Sequence, residues 1–148
     1  MAIIKITENQ LKYIIRESIF NTGIYYRGCS KGEAKKLYEP KVLWITEDDF
    51  YAKEYYNENP QENVIIEYVI DESKLKYVSL YKIDNILGYE FDAYNMTDEE
   101  ADEILHNGYN CYTLDFDSYN ASGLCLLDKS CILSQRILSD EEIHNIES

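Results

Sequence analysis

The chain has 148 residues and is 45% hydrophobic, so it is long enough for one packed domain and does not resemble a disordered segment. Its 28 acidic side chains outnumber the 14 basic ones, and this net charge of −14 argues against a general nucleic-acid groove, because phosphates would be repelled. No apolar run approaches a membrane span, and the N-terminus lacks a signal-peptide pattern, so we expect a cytoplasmic protein without membrane contact.

The first half of the chain alternates helix signals with short apolar runs. Thr7 and Gln10 have the spacing of a capping box, and Gly23 suits the end of the helix that they would begin. Ser30 and Glu33 form a second such pattern. The predicted elements are a helix over 7–23, a strand over 24–28, a short helix that ends before Pro40, a strand over 42–46, a helix over 47–57 and a strand over 64–70.

The second half is richer in strands. An apolar run predicts a strand over 75–80, and an irregular, aromatic stretch follows over 82–96. Capping patterns predict helices that begin at Thr97 and Ser139, the first of them closed by Gly108. Further strands are predicted over 109–114, 124–127 and 131–138, with a loop over 115–122. Without repeats or linkers, the whole chain reads as a single α+β domain.

Cysteines and histidines offer no metal-binding pattern. The four cysteines lack the CxxC spacing of zinc sites, and both histidines lie in acidic helical segments. We therefore predict no metal site and expect the thiols to be reduced, as is usual in cytosolic proteins.

Arg27 and Gly28, at the end of the first predicted strand, are candidates for a phosphate site. A guanidinium presents a permanently charged fork to phosphate oxygens, and a glycine allows a ligand to approach the backbone. A surface ion pair between Arg27 and one of the many acids explains this residue equally well.

Thr46 and the tyrosines that follow it are the next candidates. Thr46 has the position of an N-cap for the next helix, and its hydroxyl could also face a cleft between two strands. Tyr51 and Tyr55 share one helix face, which is typical of an aromatic stripe packed on a sheet. Tyr56, at the helix end, is expected to reach a cleft more readily.

Two acids near the end of a late strand are candidate catalytic carboxylates. Asp115 and Asp117 are two residues apart, so an extended backbone would point both to the same side. The same positions suit ordinary turn formers, and both interpretations stay open.

In these segments the chain resembles the ADP-ribosyltransferase fold family. The resemblance rests on 26–28 on an early strand, 43–46 on a second strand, a helix with Ala52, Tyr55 and Tyr56, then 108–110, 124–128 and a final strand. It is similar above all to small phage-encoded members, including those that act as anti-CRISPR proteins.

The resemblance implies a split, twisted β-sheet, flanked by short helices, that binds NAD. The implied cofactor-binding residues are Tyr26, Arg27, Gly28, Thr46, Tyr55 and Tyr56. Arg27 would hold the pyrophosphate or ribose, Thr46 would orient the nicotinamide ribose, and Tyr55 or Tyr56 would stack on nicotinamide. An acid on a late strand would stabilise the positive charge that develops on the ribose as nicotinamide leaves.

This sequence departs from the family pattern at that acid. The expected glutamate falls near Ser122 and Gly123, and neither residue is acidic. Either Asp115 or Asp117 substitutes for it, or the site binds a nucleotide without transfer.

Three functions follow as hypotheses. The first is a transferase that modifies a host protein or nucleoprotein in phage–host conflict, without reading a nucleic-acid sequence itself. The second is a non-catalytic inhibitor whose acidic surface occupies a basic channel of a host defence complex. The third is a component of a toxin–antitoxin pair.

Overall fold

The computed structural model describes residues 7–9, 21–35, 41–116 and 121–147. Within these ranges one antiparallel sheet of six strands forms the centre of the α+β fold, which confirms the predicted class. The strands are Thr22–Ser30 (β1), Leu43–Thr46 (β2), Asn63–Asp71 (β3), Cys111–Phe116 (β4), Ala121–Leu126 (β5) and Ile132–Ile137 (β6). Their order across the sheet is β4-β5-β2-β1-β3-β6.

Five α-helices accompany the sheet in the described part of the chain. They are Lys31–Lys35 (α1), Asp49–Glu58 (α2), Leu80–Leu87 (α3), Asp98–His106 (α4) and Asp140–His144 (α5). The capping boxes predicted at Thr97 and Ser139 are both present. Each hydroxyl accepts the backbone N–H of the glutamate three residues later, and the carboxylate of that glutamate accepts the backbone N–H of the Thr or Ser.

Three predictions of local structure are wrong. Residues 75–80 do not form a strand, since Ser79 caps helix α3 and Gly88 ends it with a left-handed φ of 82°. The buried side chain of Ile83 anchors that helix, which lies in the stretch predicted to be irregular. Gly23 lies inside β1 and does not end a helix. Short apolar runs do not distinguish a strand from a buried helix turn, and that ambiguity explains the first error.

The remaining elements differ from their predictions mainly at their ends. Strand β4 runs on to Phe116 and β5 begins at Ala121, so residues 115–116 and 121–122 of the predicted loop are strand, and 117–120 lie outside the described residues. Most of the helix predicted over 7–23 also lies outside them.

The sheet is covered on both faces. One face carries a core of buried residues from β1 to β5, among them Tyr25, Ile45 and Tyr68, and the partly buried Ile132 of β6 packs against it. On the other face, helices α3 and α4 pack near β4 and β5 around Tyr112 and Cys125. Helices α2 and α5 pack on the same face near β1 and β3, around a smaller cluster that includes Tyr56, Ile65 and Ile143.

Strands β1 and β2 are held together at one point. Within these two described strands the sheet register contains the single pair Tyr26 and Thr46, whereas β1 pairs with β3 along its whole length. Beyond this pair the two strands separate toward Gly28 and Leu43. The resulting gap, next to helix α2, is where the candidate site lies.

Candidate functional site

A cleft of about 300 Å³ lies between helix α2 and the separating strands β1 and β2. Its size is at the lower end of ordinary small-molecule sites. The residues that line it are Tyr26, Arg27, Gly28, Trp44, Ile45, Thr46, Tyr51, Ala52, Tyr55 and Tyr94. All the predicted cofactor-binding residues except Tyr56 are therefore brought together here.

Arg27 is the only cation among these lining residues. Its side chain is 18% exposed, and its Nη2 donates to Oε2 of Glu33 on helix α1 at 3.2 Å. The predicted alternative, an ion pair with a nearby acid, is thus part of the structure. It coexists with the position of Arg27 in the cleft, because a guanidinium has five N–H donors and this contact uses one.

Gly28 is in contact with Tyr55. A Cβ built on Gly28 would fall 2.6 Å from Cδ1 and 2.9 Å from Cγ of Tyr55, so the tyrosine ring lies directly on the β1 backbone. The sequence predicted that a ligand would approach the backbone at Gly28, but in the structure the Tyr55 ring occupies this position. Burial, followed by the charge of Glu33, raises the pKa of Tyr55. The ring is 39% exposed, which leaves a surface of it open to the cleft.

Thr46 ends β2 and is 4% exposed. Its Oγ1 accepts the backbone N–H of Asp48 at 3.1 Å. Asp48, and not Thr46, is the N-cap of α2, since its carboxylate accepts the N–H of Tyr51. The prediction that Thr46 is the N-cap is therefore wrong by two residues. Thr46 does lie at the cleft, which was the other interpretation of this residue. Thr46 thus fixes the backbone at Asp48, and Asp48 in turn fixes the first turn of the helix that carries Tyr51 and Tyr55.

Two further aromatic residues complete the lining. The ring of Trp44 meets that of Tyr112 edge to face at 5.8 Å, and Tyr112 meets Phe91 in the same manner. These contacts tie Trp44 to the core beneath α3 and α4. Tyr94 comes from the turn between α3 and α4, where Asp92 accepts its backbone N–H, and at 57% exposure it forms the rim of the cleft.

The structure does not bring Tyr56 to the cleft. Its side chain is 8% exposed and packs with Ala52, Ile65 and Ile143 in the small core cluster between α2, α5 and β3. Its hydroxyl donates to Asp140 at 3.2 Å. Adjacent residues on a helix point about 100° apart, so a helix that turns Tyr55 toward the cleft turns Tyr56 into the core.

Of the two candidate acids, Asp115 is not among the residues that line the cleft. Asp115 is exposed on β4, opposite Ser122 of β5. Because β5 lies between β4 and β2, and neighbouring strands are about 4.8 Å apart, Asp115 starts about 10 Å from the β2 backbone. Asp117 lies outside the described residues. Gly123, where the resemblance expects an acid, lies directly across from Thr46.

Glu47 is the acid that follows Thr46 in the chain, and it contacts the opposite face of the sheet. Tyr25 is buried there, and the carboxylate of Glu47 lies near its hydroxyl. The carboxylate of Glu72 and the ring edge of Tyr25 both lie over Gly23. Burial and the charge of Glu47 raise the pKa of Glu72, and burial with both carboxylates raises the pKa of Tyr25.

The described ranges contain no group of three or more His, Cys, Asp and Glu side chains placed to hold a metal ion. None of their helices has the length and apolar character needed to cross a membrane. All four cysteines are buried and unpaired, and burial raises the pKa of each thiol, to about 12 for Cys111 and Cys125. Buried thiols of this kind are unreactive.

Comparison of the chain with protein-family models, curated proteins and solved structures finds no match.

Sequence reasoning did not identify three residues of this site. Trp44 lies within the strand motif, and its place next to Thr46 was a usable signal. Tyr94 comes from a distant segment, and Glu33 reaches Arg27 through a turn and a short helix, so neither has a local signal in the sequence.

Proposed function

We propose that the cleft binds NAD, in the manner implied by the resemblance to ADP-ribosyltransferases. The observation that carries the proposal is that residues predicted from separate segments, on β1, β2 and α2, line one cleft. The sheet order adds support, because three of the strands that carry the resemblance, β1, β2 and β5, are consecutive neighbours, while the final strand, β6, lies beyond β3 at the edge of the sheet.

The lining has the chemistry that a nucleotide requires. Trp44, Tyr51, Tyr55 and Tyr94 offer aromatic faces for a planar ring, and a stacked base contributes about 1–3 kcal/mol to binding. Arg27 supplies the charge that a pyrophosphate needs. At about 300 Å³ the cleft suits one half of a dinucleotide, and we expect the nicotinamide half to be enclosed while the adenylate extends outward.

Binding is better supported than transfer. Among the described residues that line the cleft there is no aspartate or glutamate, so none of them can stabilise a developing oxocarbenium ion. Transfer of ADP-ribose to a host macromolecule would need Asp115 or Asp117 to reach the cleft. Incubation with labelled NAD and host lysate tests this directly. Label transfer that is lost in Asp115→Asn or Asp117→Asn would establish an enzyme and identify the acid.

A second candidate is a non-catalytic acidic inhibitor of a host defence complex, and a specific surface favours it. Helix α4 exposes Asp98, Glu99, Asp102 and Glu103, which form a strongly negative face on a chain whose net charge is −14. Binding to a basic complex through this face would weaken steeply as salt is raised. A pull-down that is unaffected by salt, or by replacing these four acids with their amides, would contradict this candidate.

The fluorescence of Trp44 offers a direct measure of ligand binding in the cleft. Trp44 is the chain's one tryptophan and lines the cleft, so its fluorescence should change as the cleft fills. A titration with NAD, nicotinamide mononucleotide, ADP-ribose and AMP would show which half is enclosed. We expect the mononucleotide to reproduce most of the NAD response. If no ligand in this series alters the signal, the proposal is wrong.

A further inference from the structure

The ion pair with Glu33 engages Arg27, the one cation among the described residues that line the cleft. Glu33 lies on the five-residue helix α1, whose entry is fixed by the Oγ of Ser30, which accepts the Glu33 N–H at 3.1 Å. Lys31 N donates to Glu62 O at 2.7 Å and ties the same turn to the start of β3. The backbone thus holds Glu33 beside the guanidinium.

The contact itself is weak enough to be exchanged. One nitrogen of Arg27 meets one oxygen of Glu33 at 3.2 Å, which is longer than the 2.7–2.9 Å of strong charge-assisted bonds. The Glu33 side chain is 52% exposed, so its carboxylate regains water readily when it leaves. Arg27, in contrast, is mostly buried beside Cys29 and Tyr55, so it stays at the cleft whichever anion it meets.

We infer that Glu33 is a built-in competitor for Arg27, and that the cleft takes pyrophosphate esters by exchange of this carboxylate for a phosphate oxygen. This inference rests on the proposed function and adds the regulation of its site. Glu33 is a positioning residue in this account, since it acts on the ligand through Arg27.

If a phosphate oxygen replaces the Glu33 carboxylate on Arg27, removing the charge of Glu33 should raise the affinity for pyrophosphate esters. Glu33→Gln keeps the shape and a hydrogen-bond acceptor but removes the competing charge, so ADP-ribose and inorganic pyrophosphate should bind about two- to fivefold more tightly. If Glu33 instead oriented Arg27 toward the ligand, the same change would weaken binding. The two roles therefore give opposite results in one measurement.

The experiment compares the affinities of ADP-ribose and inorganic pyrophosphate in four proteins, followed by Trp44 fluorescence and by calorimetry. These are the wild type, Glu33→Gln, Arg27→Ala and the Arg27→Ala/Glu33→Gln double variant. Asp102→Asn is the matched control, because it also removes one acidic charge and breaks an exposed ion pair, with Lys41, at α4 and away from the cleft. The Glu33 side chain makes no cap or core contact in the described structure, so the variant should fold.

If Glu33 competes for Arg27, the Glu33→Gln variant should bind ADP-ribose and pyrophosphate more tightly than the wild type, and Asp102→Asn should bind them equally well. In proteins that carry Arg27→Ala, the added Glu33→Gln change should no longer raise the affinity. Wild-type binding that Glu33→Gln leaves unchanged or weakens overturns the inference but not the proposed function. Persistence of the effect in the double variant also overturns it, since general repulsion then explains the gain. If neither the wild type nor Glu33→Gln binds either probe or NAD, the proposed function fails and the inference fails with it.

Discussion

The ring of Tyr55 lies against the backbone of Gly28, closer than any Cβ at that position would allow. This contact joins helix α2 to strand β1 at the cleft and fixes one of its walls. A glycine in the middle of a strand usually weakens the strand, but at position 28 only glycine leaves room for the Tyr55 ring.

Gly28→Ala should therefore destabilise the fold and distort the cleft. The added methyl would lie 2.6 Å from the Tyr55 ring, and overpacking of this kind costs about 1–3 kcal/mol. Chemical denaturation measures the loss. Gly32→Ala on helix α1 is the control, because its nearest neighbour would be 3.8 Å away, in ordinary contact. Addition of Tyr55→Ala to Gly28→Ala should recover part of the lost stability. A Gly28→Ala protein as stable as the wild type would refute the contact.

Tyr55 and Tyr56 are neighbours in the chain and should have separable roles. Tyr55→Ala should weaken NAD binding by about 1–3 kcal/mol, the contribution of a stacked ring. Tyr56→Phe removes the hydrogen bond to Asp140, so it should lower the free energy of unfolding by about 0.5–1.5 kcal/mol and leave NAD affinity unchanged. Calorimetry and denaturation of both variants give the comparison. Loss of NAD binding in a stable Tyr56→Phe protein would place Tyr56 in the site after all.

Glu72 should make the protein less stable as the pH rises. Burial and Glu47 raise its pKa above the ordinary value of 4.5 in the folded state. Below about pH 4.5 Glu72 is protonated in both the folded and the unfolded state, so it does not change the free energy of unfolding. As the pH rises above that value, the unfolded state loses the proton more easily than the folded state, so the free energy of unfolding falls.

The Glu72→Gln variant tests this effect, because it cannot ionise. It should be more stable than the wild type at neutral pH, and the difference should shrink toward zero near pH 4. Denaturation at several pH values provides the measurement. A variant that is less stable at neutral pH would contradict the predicted sign.

Local features of the fold could be predicted from the sequence, and features that depend on packing could not. The capping boxes at Thr97 and Ser139 involve residues only three apart, so they are visible in the chain. The direction of Tyr55 and Tyr56 depends on how α2 sits on the sheet, and the role of Gly28 depends on what covers it. The apolar run over 75–80 is long enough for either a strand or a helix start, and Ser79 decided the outcome.

The site shows the same division. Tyr26, Arg27, Gly28 and Thr46 belong to compact motifs that predicted one cleft between two strands. Tyr94 and Glu33 reach that cleft through a distant turn and a short helix, so no local pattern could have indicated them. The missing acid was visible in the sequence, and the position of Gly123 opposite Thr46 shows where it would have been.

The most direct test of the account is the affinity for NAD of the wild type, Arg27→Ala and Arg136→Ala, measured by calorimetry. Arg136 is the matched control, because it pairs with Glu67 and Glu142 away from the cleft. Removal of a charge-assisted bond of about 1.5–3 kcal/mol predicts that Arg27→Ala binds NAD about 10- to 100-fold more weakly, while folded Arg136→Ala binds like the wild type. Wild-type protein that gives no heat with NAD, or equal affinities in all three proteins, would contradict the central claim.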